Sequence, residues 1–336
     1  MGALEEEIPV ERSVSIIDIA REAGVSRSAV SRALNDQAGV NARIREHVKD
    51  VASRMGYVKD FRAQALKTRQ THTVGILVRA VQLSFYGEFV AAVQRSLEHQ
   101  GYRLAVVTHG VRQSESEALE FLMGQRPEAA IVASGRISEE LVEGAARRVP
   151  VVLVGPSSKS TSFGSIEYGT QGAADLAKLV AERGHREAVV LSAPAQGSRT
   201  LAARTKRMVS ALDALGVRVV QVPFGPDDQP DAGLLRDALR TASVVMAPGD
   251  PIAMSAWEQI SAWGMEVPGD VSLTGFDGVG QLATPVLGLT TVRLPVVDAA
   301  ERAVAQVVAR LRDRSVAPSH TVLEGEVVRG RTLALL

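Results

Sequence analysis

From Val14 onward, apolar side chains recur at three- and four-residue intervals in three short blocks, the period of an amphipathic helix. Ile16, Ile19, Ala20 and Ala23 make one such face, Ala29, Val30, Ala33 and Leu34 a second, and Ile44, Val48, Val51 and Met55 a third. The boundaries carry cap chemistry. Ser15-Ile-Ile-Asp18 has the form of a capping box with the shorter acid, Ser26 and Asn41 suit the N-caps of the next two helices, and Gly24 and Gly56 suit the stops. Two short helices joined through Ala23-Gly24-Val25 and buttressed by a third form a helix-turn-helix arrangement, whose second helix suits the major groove of DNA. The residues of that helix turned from its apolar side are Arg27, Ser28, Ser31 and Arg32. An arginine fork matches guanine O6 and N7, and hydroxyls match phosphate oxygens.

After Lys67 to Arg69 the pattern changes to short Val-rich runs alternating with helical stretches. Thr73 to Val78, Arg103 to Thr108, Ala129 to Ala133 and Val149 to Val154 read as buried parallel strands. Helical segments at Glu88 to His99, Glu115 to Gly124 and Glu139 to Arg147 lie between them. A second series repeats the plan at Glu187 to Ser192, Val217 to Val222, Ser243 to Ala247 and Val271 to Gly275. Such alternation predicts doubly wound parallel sheets. Two series parted by the polar stretch Ser157 to Ser165 predict two lobes, with ligands taken at the carboxyl ends of the strands.

Composition narrows the function classes. The 336 residues contain no cysteine, which removes disulfides, thiolate metal sites and thiol nucleophiles, and the six histidines stand at no ligand spacing. No metal or other cofactor is expected. The acidic start, residues 1–13, has no apolar signal core, and the longest apolar runs are far shorter than the ~20 residues of a membrane helix. A cytoplasmic protein is expected, and a free-standing exported solute-binding protein is not. Net charge is zero, with 38 basic and 38 acidic side chains, but it is unevenly spread. Residues 1–13 carry −3; residues 14–70 carry 11 Lys/Arg against 6 Asp/Glu, or +5; residues 71–336 carry 26 against 28, or −2. The local +5 favours DNA over the plainer alternative, a helical bundle with a solvated basic face.

An enzyme reading finds little support. Gly278-Val-Gly280-Gln-Leu-Ala283 has the spacing of a dinucleotide fingerprint, with Asp298 near the distance for its acid, but Pro285 interrupts the helix that would carry a pyrophosphate. No nucleophile elbow or phosphate loop occurs.

Val14 to Asn35, VSIIDIAREAGVSRSAVSRALN, resembles the DNA-binding headpiece of the lac repressor family, and the likeness continues through Val40 to Glu46 and Met55-Gly-Tyr57. The resemblance implies a recognition helix from about Ser26 to Leu34 with Arg27, Ser28 and Arg32 at base-reading positions. It also implies a hinge that folds on DNA, with Leu66 as a minor-groove wedge and Ala63 one turn earlier. The DNA-binding set is then Ser15, Ser26, Arg27, Ser28, Ser31, Arg32, Asn35, Ala63 and Leu66. Lys59-Asp60 replaces the family's Pro-Asn before the hinge; Asp60 still suits an N-cap, but Lys59 removes a rigid boundary, so the hinge is expected to fold at a different threshold.

The long C-terminal part resembles the same family at Glu182-Arg-Gly-His185, Arg204, Val267 to Val271, Gly275-Phe-Asp277, Leu289 to Arg293 and Glu326 to Gly330. The resemblance implies a periplasmic-binding-protein-like pair of lobes that binds a small effector and pairs into a homodimer on a palindromic operator. The absence of a leucine heptad tail before Leu336 is read as favouring the dimer. The expected organisation is an acidic tail (1–13), a helix-turn-helix headpiece (14–59), a hinge (60–71) and a core (72–336). In the core, the first lobe takes about 72–165 plus 292–318 and the second about 166–289 plus 319–332. The last helix, Val297 to Asp313, belongs to the first lobe.

Candidate effector contacts carried over from the family are Arg204, Asp250 and Asp277, a hydrogen-bonding set for a hydroxylated or anionic metabolite. Other family positions have changed: Leu83-Ser-Phe-Tyr86 replaces Asn-Pro-Phe-Phe, Tyr168-Gly169 replaces Asp-Asn, and Gly249 and Gly278 replace an Asn and an Asp. Phe85, Tyr86 and Tyr168 thereby add aromatic surface, and the expected effector departs from a simple pyranose. Phe224 takes the family's ligand-stacking position in one alignment and Asp228 takes it in another. Trp257 and Trp263 are expected in the core.

Overall fold

The computed structural model describes residues 14–58, 71–109, 114–193 and 197–336. The acidic tail and the hinge candidates Lys59, Asp60, Ala63 and Leu66 lie outside the described residues. The chain divides into two compact units, one ending at Thr71 and one beginning at His72.

The first unit holds α1 (Ile16–Glu22), α2 (Arg27–Leu34) and α3 (Ala42–Arg54). Each starts at the expected cap. Ser15 and Asp18 form a complete capping box, the Asp18 N–H meets Ser15 Oγ at 3.3 Å and the Ser15 N–H meets Asp18 Oδ2 at 2.9 Å. Ser26 Oγ accepts from the Ala29 N–H at 3.2 Å, and Asn41 Oδ1 from the Ile44 N–H at 2.8 Å. Gly24 follows α1 with φ +64°, a conformation that a Cβ would strain, so the turn into α2 needs glycine. Ile19, Val30, Ala33, Val48 and Val51 close a small core. At ~1.5–3 kcal/mol per fully buried Val or Ile, so few side chains leave the caps a large share of this unit's stability.

In the second unit, the first lobe is a six-stranded sheet in the order β11-β5-β4-β3-β1-β2. Its strands are β1 (Thr73–Val78), β2 (Arg103–Thr108), β3 (Ala129–Ala133), β4 (Val151–Gly155), β5 (Gly164–Tyr168) and β11 (His320–Leu323), and every pairing is parallel. Ile76 and Leu77 point to opposite faces of β1 and both are fully buried, so apolar layers cover both sides, as continuous Val-rich strands require. The helices of this lobe are α4 (Ser84–His99), α5 (Glu115–Gly124), α6 (Glu139–Ala146) and α11 (Val296–Arg312).

The second lobe is a four-stranded parallel sheet in the order β7-β6-β8-β9, from β6 (Glu187–Ser192), β7 (Arg218–Pro223), β8 (Val244–Met246) and β9 (Ser272–Thr274). It carries α7 (Gln171–Glu182), α8 (Arg199–Ala214), α9 (Ala232–Ala238) and α10 (Asp250–Ala262). A two-stranded antiparallel ribbon of β10 (Thr291–Arg293) and β12 (Glu326–Val328) lies where the chain passes between lobes.

Two lobe boundaries move relative to the sequence reading. The polar run ending at Ser165 leads directly into β5, which stays in the first sheet through Tyr168, and His320–Leu323 pairs with β5 in that same sheet. The crossings therefore follow Tyr168 and Leu323 instead of falling near Ser165 and Ser319. The helix expected at Val297 to Asp313 is α11 and packs in the first lobe. Trp257 and Trp263 pack against the second-lobe core, as expected. The dinucleotide-like glycines serve packing: Gly280 begins a 3-10 turn, and a Cβ on Gly278 would meet the Arg293 backbone at 2.5 Å.

Candidate functional site

The α2 surface is built by the opposition of its two faces. Val30 and Ala33 are buried, while Arg27, Ser28 and Arg32 are exposed and Ser31 and Asn35 half-buried. Ser26 Oγ lies 3.0 Å from Ser28 Oγ, and the Arg32 guanidinium meets Ser28 Oγ only at 3.5 Å, a loose contact that leaves its fork available. The Arg32 side chain passes over Gly39, whose φ of +92° and missing Cβ make the room. By contrast, Asp36 holds Lys49 at 2.7 Å and Arg45 at 3.8 Å. Arg27 and Arg32 carry no ion pair among the described residues. Two candidates are committed internally: the Ser15 hydroxyl donates to Asp18 Oδ2 at 2.6 Å, and Asn35 donates to the Ser31 carbonyl at 2.7 Å.

The second constellation is a cavity at the carboxyl ends of the strands of both lobes, where parallel sheets place ligands. From the first lobe come Arg79 after β1, Phe85 and Tyr86 on α4, Ser134 to Arg136 after β3, Gly155 and Tyr168; from the second come Ser198, Thr200, Leu201 and Arg204 on α8, Asp228, Gly249 and Asp277. Phe85 lies edge-on to Tyr168, with centroids 5.6 Å apart, and edge-on to Tyr86 at 5.1 Å. These rings make the aromatic wall that the sequence led one to expect.

Arg204 sits at its centre, buried, with its guanidinium 4.2 Å from the Phe276 ring centroid. One terminal nitrogen donates to Asp277 Oδ1 and to the Pro248 carbonyl, each at 2.9 Å. Asp277 is held at φ +129° because its N–H donates to the Val292 carbonyl and its own carbonyl accepts from the Leu294 N–H, both at 2.9 Å. Burial pushes the Asp277 carboxyl up, and the Arg204 charge pulls it back. Burial also pushes the Tyr86 hydroxyl up to about 12 and the Tyr168 hydroxyl well above the ordinary phenol range. Both phenols are therefore neutral hydrogen-bonding groups at neutral pH.

Two expected contacts are placed elsewhere. Asp250 does not line the cavity: Oδ1 accepts from the Thr291 hydroxyl at 2.7 Å and Oδ2 from the Gly278 N–H at 2.8 Å. Both oxygens are thus used, one tying α10 to the crossing ribbon and the other to the loop after β9. Burial, with the nearby Asp277 charge, pushes its carboxyl up to about 7. Phe224 is buried in the second-lobe core, and its antiparallel bridge to Pro230 turns the intervening loop so that Asp228, at φ +64°, reaches the cavity. The alternative alignment is the one that matches the geometry.

Sequence reasoning missed the residues that join the lobes. Arg79 meets Asp228 across the cleft: Nη1 lies 3.0 Å from Oδ2 and 3.2 Å from Oδ1, and Nη2 donates to Oδ1 at 3.2 Å and to the Pro226 carbonyl at 3.0 Å. Arg199, at the start of α8, donates its N–H to the Gly135 carbonyl at 2.8 Å and its guanidinium to Glu139 and the Ile137 carbonyl, each at 3.1 Å. The lobes are therefore closed on each other. The available signal was position: Arg79, Ser134 and Arg136 directly follow strands β1 and β3.

Three buried polar atoms of the cavity residues, Tyr168 Oη, Thr200 Oγ1 and Arg204 Nε, have no hydrogen-bond partner among the described residues. Buried polar atoms are nearly always paired, so such a cluster marks a place where a ligand or water completes the bonding. The described residues contain no group of His, Asp or Glu that could hold a metal ion, and no helix long and apolar enough to cross a membrane.

Comparison with known proteins gives the same two parts. Residues 15–60 match the model for bacterial regulatory proteins of the lacI family, and residues 177–333 match that for a periplasmic binding protein-like domain. The HTH-type transcriptional regulator Rv3575c of Mycobacterium tuberculosis is 29% identical, with 96% of this chain and 97% of that protein covered. The HTH-type transcriptional regulator GalS of Salmonella typhimurium is 28% identical over 86% of this chain and 87% of its own. Among solved structures, the lac repressor dimer bound to operator and the anti-inducer ONPF superposes with a TM-score of 0.77 at 21% identity, covering 96% of this chain and all of that one. The regulator CelR in complex with cellobiose gives 0.66 at 23% identity, over 95% and 99%.

Proposed function

Because the chain belongs to the lacI family of bacterial regulatory proteins, we propose that its exposed α2 face reads an operator and that its interlobe cavity takes the small molecule controlling that reading. The protein is a DNA-binding transcriptional regulator with an effector-binding core. It acts as a repressor, in the cytoplasm where its DNA lies, and its role is binding and not catalysis. The observation that carries the DNA assignment is the pair of unengaged arginines, Arg27 and Arg32, on a helix whose opposite face is locked into the core. Arg27, Ser28 and Arg32 read base edges; Ser26, Ser31 and Asn35 flank them, and Ser15 contributes position more than its hydroxyl.

A homodimer presents two such helices to two matched half-sites, so the operator is a partial palindrome. An effector that binds two conformations of the core unequally shifts the DNA-competent population, by no more than that difference in affinity. Selecting bound duplexes from a random pool tests the assignment. A palindrome with fixed half-site spacing is expected, and Arg32→Ala is expected to cost about 1–3 kcal/mol and relax one position in each half-site. An unchanged base profile in that variant would remove Arg32 from the reading set.

A further inference from the structure

The cavity's hydrogen-bonding groups are unevenly used, and the imbalance has a chemical sense. The Arg79 fork is taken up by both oxygens of Asp228 and by the Pro226 carbonyl, which leaves neither side chain much to offer. Asp277 Oδ1 is taken by Arg204. What remains is rich in groups able to donate, with Asp277 Oδ2 as the acid oxygen not bonded to Arg204. Arg204 Nε–H can only donate, and the Tyr168 and Thr200 hydroxyls are buried without a partner among the described residues. Arg136 stands half-buried on the loop after β3, and although its backbone N–H donates to Ser134 Oγ at 3.2 Å, its guanidinium makes no hydrogen bond or ion pair with any described residue. Thr200 Oγ1 would lie 3.2 Å from a Cβ placed on Gly135, so a vacant donor sits directly beside the Arg136 backbone.

Charge points the same way. Three guanidinium groups line the cavity against two carboxylates, Asp228 and Asp277, each already paired with one arginine. Of the acids just behind the wall, neither Glu115, bonded to the Ser134 hydroxyl and 3.3 Å from His109, nor Asp250, bonded to Thr291 and Gly278, forms an ion pair with Arg136. A partly buried cation without a counter-charge is costly unless an anion joins it, and arginine forks match carboxylate and phosphate oxygens.

Building on the cavity as the effector site, we propose that the effector is a hydroxylated acid, a small polyol bearing one carboxylate or phosphate group that Arg136 holds. Its neutral oxygens accept from Tyr168, Thr200 and Arg204. A neutral sugar would leave the Arg136 charge unmatched in the closed cleft.

The test is a thermal-shift and calorimetric comparison of the full chain with matched sets of probes. Glucose, galactose, mannose and xylose are each taken with the corresponding onic acid and phosphate ester. At least one acid is expected to bind tenfold or more tightly than its neutral parent. Arg136→Gln is expected to abolish that preference, and Arg136→Lys to keep part of it. The unliganded melting curve of each variant, recorded in the same scan, controls for folding. The carboxylate and phosphate arms decide which anion the site takes. If a neutral sugar binds as tightly as its acids, or if the preference survives in Arg136→Gln, the anion proposal is overturned while the effector site stands. If no member of any set binds, both are overturned.

Discussion

Removing the Arg79 side chain should open the cleft, and the size of the effect can be worked from the contacts. Arg79 makes charge-assisted hydrogen bonds to both Asp228 oxygens and to the Pro226 carbonyl, with side chains 23% and 9% exposed. Breaking a fully buried pair costs about 3–5 kcal/mol and an exposed one ~0–1. This pair lies between, and Asp228 can regain water when the lobes part, so about 2 kcal/mol is the working figure for Arg79→Ala. At ~1.4 kcal/mol per tenfold, the ratio of closed to open molecules should fall roughly thirtyfold. The native chain has no cysteine, so a single pair, Glu120→Cys on α5 and Arg207→Cys on α8, takes spin labels without background. Both positions are exposed, one on each lobe. Pulsed dipolar spectroscopy should show the distance distribution moving from a closed to an open population in Arg79→Ala. Arg79→Ala with Asp228→Ala should move less, because no buried carboxylate is left unpaired. Identical distributions in the parent, the single and the double variant would refute the latch.

Two further outcomes follow from the caps and the buried acids. Ser26→Ala removes the acceptor of the Ala29 N–H and should cost the headpiece about 1 kcal/mol, read as a lower urea midpoint for that transition, with the core transition unmoved. Asp250 has its carboxyl raised to about 7 by burial and by Asp277. The folded state then holds a proton that the unfolded chain has released, so this group's contribution to stability falls as pH rises from about 4 to about 7. Asp250→Asn can still accept from Gly278 and face Thr291; urea titrations at pH 5, 6 and 7 should show a flatter slope for it than for the parent. A steeper slope in the variant would contradict the raised carboxyl.

How much of this was legible in the sequence depended on whether the deciding interaction was local. Ser15, Ser26 and Asn41 were readable as caps because a cap acts within three residues, and β1 to β3 because a strand buried on both faces must be apolar throughout. The polar run Ser157 to Ser165 and the family resemblance put the crossing near Ser165, whereas the segment Gly164 to Tyr168 stays in the first lobe. It is a strand because β4 and β11 pair with it on either side, and His320 lies 155 residues from Ser165. Arg204 and Asp277 were found from their motifs, but Asp250 was placed in the cleft because nothing local reports that Thr291 turns it inward. Arg79 and Arg136 could have been found from the rule that strand ends face the ligand; their pairing, or lack of it, could not.

The backbone of Asp277 is bonded on both sides to the crossing strand, N–H to Val292 and carbonyl to Leu294, and Asp250 is fastened to the same strand through Thr291. The acid that grips Arg204 is therefore built into the crossing that joins the lobes. Arg136 and Thr200 stand on loop and helix starts outside that knot. Heritable change in what the protein senses can accumulate at those outer positions without touching the machinery that moves, whereas change at Asp277 alters chemistry and motion together. A library aimed at new effectors should vary the former and hold the latter fixed.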